Sequence, residues 1–323
     1  MNFTDALNQV EQKLGDINFN RQPKGLYDPI AYTLANGGKR IRPAMALMAH
    51  SVFDSKPEKA LMPAVGIEVF HNFTLLHDDI MDNADIRRGK QSVHLKWNEN
   101  TAILSGDAML IMAYQYVAGC DPEYLAAVQN EFSKVALEIC EGQQYDMDFE
   151  NRDDVTIEEY LNMIRLKTAV LLGSSLKIGA ITGGASVENA EHLYNFGINI
   201  GLAFQLMDDI LDVYADKEEF GKEPGGDIIS NKKTYLLLTA LNEAKGNMQV
   251  ELNKWINAAT FDREEKYNAI RRIYDETDVK NMASQKMESY YNTAMQELEK
   301  VSGDSEALGE LRNLADSLMK RTK

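Results

Sequence analysis

Two stretches concentrate groups able to do chemistry: "LLHDDIMDNADIRRG" at 75–89 and "FQLMDDILD" at 204–212. Each gives Asp-Asp-x-x-Asp at the end of an apolar run. A helix turns about 100° per residue, so Asp78 and Asp82 share a face and Asp79 sits one step round. That face runs back through Thr74 and His71, making a polar stripe on a segment that is otherwise Val69, Phe70, Phe73, Leu75, Leu76, Ile80 and Met81. In the second stretch Gly201, Gln205, Asp208 and Asp212 line up, with Asp209 beside them. Carboxylates on a buried helix are costly unless paired or bound to metal. Two of them on adjacent turns form a hard oxygen-donor site. Mg²⁺ suits such a site, binding through one or two carboxylates plus substrate phosphates while keeping waters. Either stretch alone is as readily a solvated helix end in an acidic chain. Their recurrence in matched apolar settings singles out the metal-binding alternative.

Basic residues accompany the carboxylates. "NGGKRIRP" at 36–43 offers Lys39, Arg40 and Arg42 beside two glycines that let backbone approach a phosphate. Arg87 and Arg88 follow the first acidic stretch, "RLKTA" carries Lys167 and Thr168, "GKEPGGD" carries Lys222, and "NKKT" carries Lys232 and Lys233. A lone Lys or Arg is ordinarily a solvated surface charge. Glycine-flanked or acid-flanked placement raises some of these above that role. Together they could bind two polyanionic groups, one through metal and one directly.

The elements that position these groups read as helix nearly throughout. Ala, Leu, Met, Glu and Lys recur at three- and four-residue spacing, and only seven prolines occur in 323 residues. Helices are expected over 3–15, 27–35, 41–53, 60–84, 92–96, 101–118, 122–149, 157–182, 187–216, 232–245, 248–259, 262–273 and 276–321, the last broken near Ser302–Gly303. Loops are expected at 36–43 and 221–227. No low-complexity linker divides the chain, so residues 1–323 read as a single domain. The net charge of -16 argues against a nucleic-acid partner or an anionic membrane surface. The two cysteines, Cys120 and Cys140, form no CxxC pair and fit a reducing cytoplasm. The N-terminus mixes charge with apolar residues and does not read as a signal peptide. The run "TAVLLGSSLKIGAITGGA" is interrupted by Ser174, Ser175 and Lys177 and reads as a buried helix rather than a membrane span.

The chain resembles the trans-isoprenyl diphosphate synthases, or polyprenyl synthetases. The residues that carry the resemblance are "GGKRIRP", "HDDIMDNADIRRG", "GQQYD", "LKTA", "FQLMDDILD" and "GKEPGGD…NKKT", in that order from about residue 37 to 234. The resemblance implies an all-α isoprenoid synthase fold around a deep central cavity, with two aspartate-rich motifs facing each other at its mouth. It implies head-to-tail joining of isopentenyl diphosphate to an allylic diphosphate. Asp78, Asp82 and Asp208 would be Mg²⁺ ligands, with about three ions per site, and Asp79, Asp209 and Asp212 would complete the two clusters, partly through water. Arg87, Lys167 and Lys222 would contact the allylic diphosphate, with Lys232 close by. Thr168 and Gln205 would lie beside the reacting carbon. Lys39, Arg42, His71 and Arg88 would form the isopentenyl diphosphate pocket, and Gln143 and Asp146 match a family position near the metals. His77 reads as a packed residue, and His50, His94 and His192 have no assigned role.

In this family bulky side chains floor the cavity and set product length. The resemblance assigns that role to Phe73, with Phe70 and Thr74 beside it, although the helical wheel leaves Phe73 off the carboxylate stripe and both phenylalanines are as readily core. Phe-Thr before an uninserted first motif resembles the archaeal-type geranylgeranyl synthases. The expected product is geranylgeranyl diphosphate (C20), with farnesyl diphosphate (C15) as the alternative. A class I terpene cyclase would need no isopentenyl pocket, and its second motif would usually carry Asn, Ser or Glu. A non-catalytic partner subunit should have lost aspartates. An acidic helical scaffold would show little Mg²⁺-dependent stabilisation by diphosphates. A homodimer in the cytoplasm, without stable membrane insertion, completes the expectation.

Overall fold

The computed structural model describes residues 1–215 and 224–320. In chain order the elements are α1 (Phe3–Gly15), α2 (Lys24–Leu34), α3 (Ile41–His50), a 3₁₀ turn (Pro57–Ala60), α4 (Leu61–Met81), a hairpin of β1 (Ile86–Arg87) and β2 (Lys90–Gln91), α5 (Val93–Lys96), α6 (Glu99–Val117), α7 (Leu125–Glu150), α8 (Ile157–Ile164), a π-turn (Arg165–Ala169), α9 (Val170–Thr182) and α10 (Val187–Tyr214). There follow α11 (Gly226–Ser230), α12 (Tyr235–Glu243), α13 (Asn247–Ile256), α14 (Arg263–Glu276), α15 (Val279–Glu299) and α16 (Ser305–Met319). The all-helical expectation holds for the described residues, with the two-residue strands the only sheet. The break expected near Ser302–Gly303 is present. Three local features depart from the sequence reading. Part of the loop expected over 221–227 belongs to the short helix Gly226–Ser230, a hairpin occupies 86–91, and the long helix over 157–182 contains a π-turn. Among the described residues, no helix is long and apolar enough to cross a membrane.

Side-chain caps start several helices where the sequence offers them. Asn2 accepts from Asp5 N–H, Asn98 from Thr101 N–H, and Asp262 from Glu264 and Glu265 N–H. Thr156 and Glu159 form a reciprocal capping box at the start of α8.

The chain groups into two compact units, and neither is continuous in sequence. The first comprises Met1–Lys134, Ser174–Tyr194 and Lys300–Leu311. Its central helix is α4, buried on every side over Pro63–Phe70. Glycines let α6 lie close along it. A Cβ on Gly66 would sit 2.6 Å from Val117, and one on Gly106 would sit 2.2 Å from His77. The α4 residue Glu68 is 1% exposed. Its carboxylate lies 2.6 Å from the Arg40 guanidinium, and Arg40 also reaches Glu11 at 2.9 Å and the Leu34 carbonyl at 2.6 Å. The second unit comprises Val135–Gly173, Asn195–Glu299 and Arg312–Lys323. Its core includes Tyr160, Met163, Ile164, Phe196, Ile200, Leu206, Ile273 and Tyr274.

Removing one partner of a buried ion pair strands the other charge. Glu68→Ala should therefore lower unfolding stability by about 3 kcal/mol or more, read by urea titration. A loss well below about 1 kcal/mol would mean that Glu11 and the Leu34 carbonyl suffice for Arg40.

Candidate active site

In the first unit the carboxylates emerge on the last turn of α4. Asp79 is 4% exposed, whereas Asp78 is half-buried and Asp82 is exposed. Arg87 donates from Nε to Asp79 Oδ1 at 2.8 Å, and its Nη2 lies 2.5 Å from the same oxygen and 3.5 Å from Asp78 Oδ2. Burial pulls the Arg87 pKa down, but Asp79, Asp78 and Asp82 more than offset it and leave the guanidinium above its ordinary value. Asp79 is thus a buried anchor for Arg87, where the resemblance had it completing the acidic cluster partly through water.

The hairpin turns through Arg88 and Gly89, with φ of 52° and 73°. Positive φ at both central residues fits a two-residue primed turn, which follows the twist of the strands. Arg88 donates to the Gly37 carbonyl and lies 3.5 Å from Asn72 Oδ1. Gly38 has φ of 133°, and a Cβ there would sit 2.8 Å from the Arg88 guanidinium. Gly37 thus offers its carbonyl to an arginine 51 positions away, and Gly38 makes room for that side chain. Arg42 Nη1 lies 3.2 Å from His71 Nε2. Burial, with like charge from Arg88, pulls the Arg42 pKa down to about 10, and its buried Nε has no protein partner. Burial and the neighbouring Arg42 and Arg88 push His71 well below the usual imidazole range, so it is neutral at pH 7. Of the expected isopentenyl pocket, Arg42, His71 and Arg88 form one electropositive group, and Lys39 is exposed on the preceding loop. Arg40, in the same motif, is instead the buried partner of Glu68.

The opposite side of α4 is aromatic. Phe73 lies 4.8 Å from the His77 ring and 5.6 Å from Phe70. Phe70 meets Phe132 at 5.2 Å, and Phe132 meets Tyr114 at 4.9 Å. Thr74 Oγ1 donates back to the His71 carbonyl at 2.8 Å. His77 bonds the Ile103 carbonyl at 3.1 Å and is a packed residue. Buried His50 pairs with Thr182.

In the second unit Lys167 and Thr168 stand on the π-turn, where the Val170 N–H donates to the Arg165 carbonyl. Single π-turns inside α-helices recur at functional sites. Two helices press on this turn through glycines. A Cβ on Gly142, the first residue of "GQQYD", would sit 2.4 Å from Lys167 N, and one on Gly201 would sit 2.7 Å from Ala169 Cα. Lys167 Nζ lies 2.6 Å from Asp146 Oδ2, and Gln143 is half-buried on the same helix as Asp146. Thr168 Oγ1 donates to Gln205 Oε1 at 3.4 Å, and Gln205 Nε2 donates to Asp209 Oδ1 at 3.3 Å. The Tyr160 hydroxyl donates to Asp209 Oδ2.

Asp209 is 4% exposed, and burial pushes its pKa up to about 7 against the hydrogen bonds from Tyr160 and Gln205 and the charge of Lys232. It is the counterpart of Asp79: the middle aspartate of the motif, turned inward. Asp208 is half-buried. Asp212 accepts from Asp227 N–H at 3.0 Å, and its carbonyl accepts from Gly225 N–H at 2.6 Å. Asp212 thereby ties "PGGD" to the end of α10. Lys232 is exposed just after the Gly226–Ser230 helix, and Lys222 lies outside the described residues.

Sequence reasoning missed Tyr160, Glu68 and Asn72. Asn72 and Glu68, seven and eleven residues before Asp79, continue its face of α4, so the spacing signal was present in the sequence. For Tyr160, eight residues before Thr168, a straight helical wheel gives no signal.

A family model described as polyprenyl synthetase matches residues 23–274. A geranylgeranyl diphosphate synthase of Methanosarcina mazei is 44% identical over 224 residues, 69% of each chain. A geranylfarnesyl diphosphate synthase of Natronomonas pharaonis is 42% identical over 241 residues, 69% of this chain and 71% of the relative. A crystal structure of a geranylgeranyl pyrophosphate synthase superposes with a TM-score of 0.94 at 43% identity, covering 100% of both chains.

The neutral state of His71 has a measurable consequence. Its folded pKa lies below the unfolded value of about 6.5. Above about pH 6.5 neither state is protonated and the residue contributes nothing to pH dependence. Below it the unfolded chain takes a proton that the folded chain refuses, so stability falls with pH by at most about 1.4 kcal/mol per unit. His71→Gln should flatten the urea-unfolding stability between pH 7 and pH 5 relative to the parent. Equal slopes for the two proteins would contradict a depressed His71.

Proposed function

The chain belongs to the polyprenyl synthetase family, and on that footing we propose that it is a prenyltransferase that condenses isopentenyl diphosphate with dimethylallyl, geranyl and farnesyl diphosphates to give geranylgeranyl diphosphate. The observation that carries the proposal is the paired design of the two acidic motifs. In each, the middle aspartate is buried and hydrogen-bonded, and the outer aspartates lie a turn apart with cationic side chains nearby.

The donor chemistry fits Mg²⁺. Among the described residues no three carboxylate, imidazole or thiol groups converge on one point. Carboxylates one helical turn apart beside cationic side chains suit a cation that takes one or two protein carboxylates and completes its shell with water and phosphate. Asp78 and Asp82 in one motif, and Asp208 in the other, are the ligands in this proposal. Bound Mg²⁺ supplies Lewis-acid stabilisation of the charge that develops on a departing diphosphate.

The chain's own residues do the rest. Arg87, Lys167, Lys222 and Lys232 receive the allylic diphosphate. Arg87 is oriented for this by Asp79, and Lys167 by Asp146. Arg42, Arg88 and Lys39 receive isopentenyl diphosphate. Arg42 is desolvated beside Arg88 with its buried Nε unpartnered, and this diphosphate would supply an acceptor and a negative charge there. Neutral His71 orients Arg42 without adding charge. Thr168 and Gln205 border the reacting carbon. After C–O cleavage the alkene of isopentenyl diphosphate attacks the allylic cation, and the departing diphosphate accepts the proton released. Holding the two substrates in line supplies much of the rate. Phe73, braced by Phe70 and His77, is the floor that stops growth at C20. The family likeness also supports a homodimer working in the cytoplasm.

Purified protein given isopentenyl diphosphate and each allylic starter should yield a C20 product with Mg²⁺ and none with EDTA, sized after dephosphorylation. A C15 endpoint would favour the farnesyl alternative. A C25 endpoint would match the chemistry named for the Natronomonas relative. Absence of elongation in folded protein would refute prenyl transfer. Phe73→Ala should shift the product beyond C20, and an unchanged distribution would remove Phe73 as the floor.

A further inference from the structure

Tyr160 and Thr168 sit eight residues apart on one helical run, and they grip residues four apart on α10. Tyr160 donates to Asp209, and Thr168 donates to Gln205. In a regular α-helix positions eight apart diverge by roughly 80°. Two such side chains would not meet one face of a neighbouring helix. The π-turn over Arg165–Ala169 absorbs one extra residue. Thr168 is thereby brought back toward the Tyr160 face, as if seven residues separated them, within roughly 20°. Gly142 and Gly201 press on this turn from two sides and hold it in place. The capping box at Thr156 and Glu159 fixes the start of the helix one turn before Tyr160.

Tyr160 is 1% exposed, so its hydroxyl is available only to a protein partner. Asp209 is 4% exposed and accepts from Tyr160 on one oxygen and from Gln205 on the other. Both oxygens are thus occupied from inside the protein. Asp208 and Asp212, on the adjoining face of the same helix turn, are half-buried and reach the surface of the unit. No sequence motif quoted above includes Tyr160.

Resting on the prenyl-transfer function proposed above, we infer that Tyr160 is a positioning residue for the second acidic motif: its hydroxyl holds Asp209 inward, and the π-turn sets the register that lets Tyr160 and Thr168 clamp α10 together. The clamp fixes the rotation of the last turns of α10, so Asp208 and Asp212 are presented ready for Mg²⁺-diphosphate. Tyr160 touches neither substrate nor metal. Its effect passes through Asp209 and Gln205.

The test is Tyr160→Phe in the full chain, which keeps the ring and removes the donor. Three quantities are read beside the parent: melting temperature without ligand, the rise in melting temperature on adding inorganic pyrophosphate with Mg²⁺, and steady-state kinetics with geranyl diphosphate and isopentenyl diphosphate at varied Mg²⁺. Losing a hydrogen bond to a buried carboxylate should raise the half-saturating Mg²⁺ concentration and the KM for geranyl diphosphate by about tenfold. The KM for isopentenyl diphosphate, whose proposed ligands belong to the other unit, should stay within about twofold. The pyrophosphate-induced shift should shrink. A purely structural role would lower the unliganded melting temperature and leave the Mg²⁺ dependence and the ligand shift unchanged, which would overturn the inference. Inactivity of the parent protein would instead count against prenyl transfer itself, while the pyrophosphate shift would still report on the clamp.

Discussion

The structure turns on the difficulty of keeping carboxylates at the ends of helices that must also be buried. An unpaired carboxylate in an apolar setting is expensive. The chain meets this twice with the same arrangement. The middle aspartate of each motif turns inward and is tied by charge-assisted hydrogen bonds, Asp79 to Arg87 and Asp209 to Tyr160 and Gln205. These anchors fix the rotation of α4 and α10. The outer carboxylates then face away from the core as a consequence of helix geometry.

The cations obey a similar constraint. Arginine guanidinia packed near one another repel, and burial makes the repulsion stronger. The first unit separates their duties by backbone conformation. Arg40 and Arg88 both occupy positive φ, at 46° and 52°. Arg40 points into the core, onto Glu68, and Arg88 crosses to the Gly37 carbonyl. Residues held in that region cost energy and persist where surrounding contacts over-determine them. Here those contacts are a buried ion pair and a two-residue hairpin. His71 avoids adding to the positive charge by staying neutral. In the second unit the π-turn has the corresponding role, setting Lys167 against Asp146 and Thr168 against Gln205.

Much of the helical order was legible in the sequence, because apolar spacing of three and four residues reports burial of a helix face directly. The α1 span read from periodicity agrees with the structure to the residue, and the stop near Ser302–Gly303 is there. The Asp-Asp-x-x-Asp repeats were legible for the same reason, since spacing alone places Asp78 with Asp82. The hairpin at 86–91 was not, because two-residue strands carry no periodicity. Gly226 and Asp227, the start of the Gly226–Ser230 helix, fell in the expected loop because the Gly/Pro cluster at 221–227 signals a turn. The helix persists because Asp212 accepts the Asp227 N–H and Gly225 adopts a φ of 80° against the Tyr267 ring.

The sequence by itself determined the helical class, the two acidic motifs and the identities of the cations beside them. Each of these is encoded within one or two helical turns. Only the tertiary structure decided which members of each motif face inward, that Arg40 is a buried ion-pair partner while Arg42 stands beside His71, and that Tyr160 belongs to the second acidic motif. Those choices depend on partners 8 to 49 residues away in the chain. They depend too on a π-turn that shifts helical phase. Local spacing cannot report a hydrogen bond whose two ends meet only after the helices have packed.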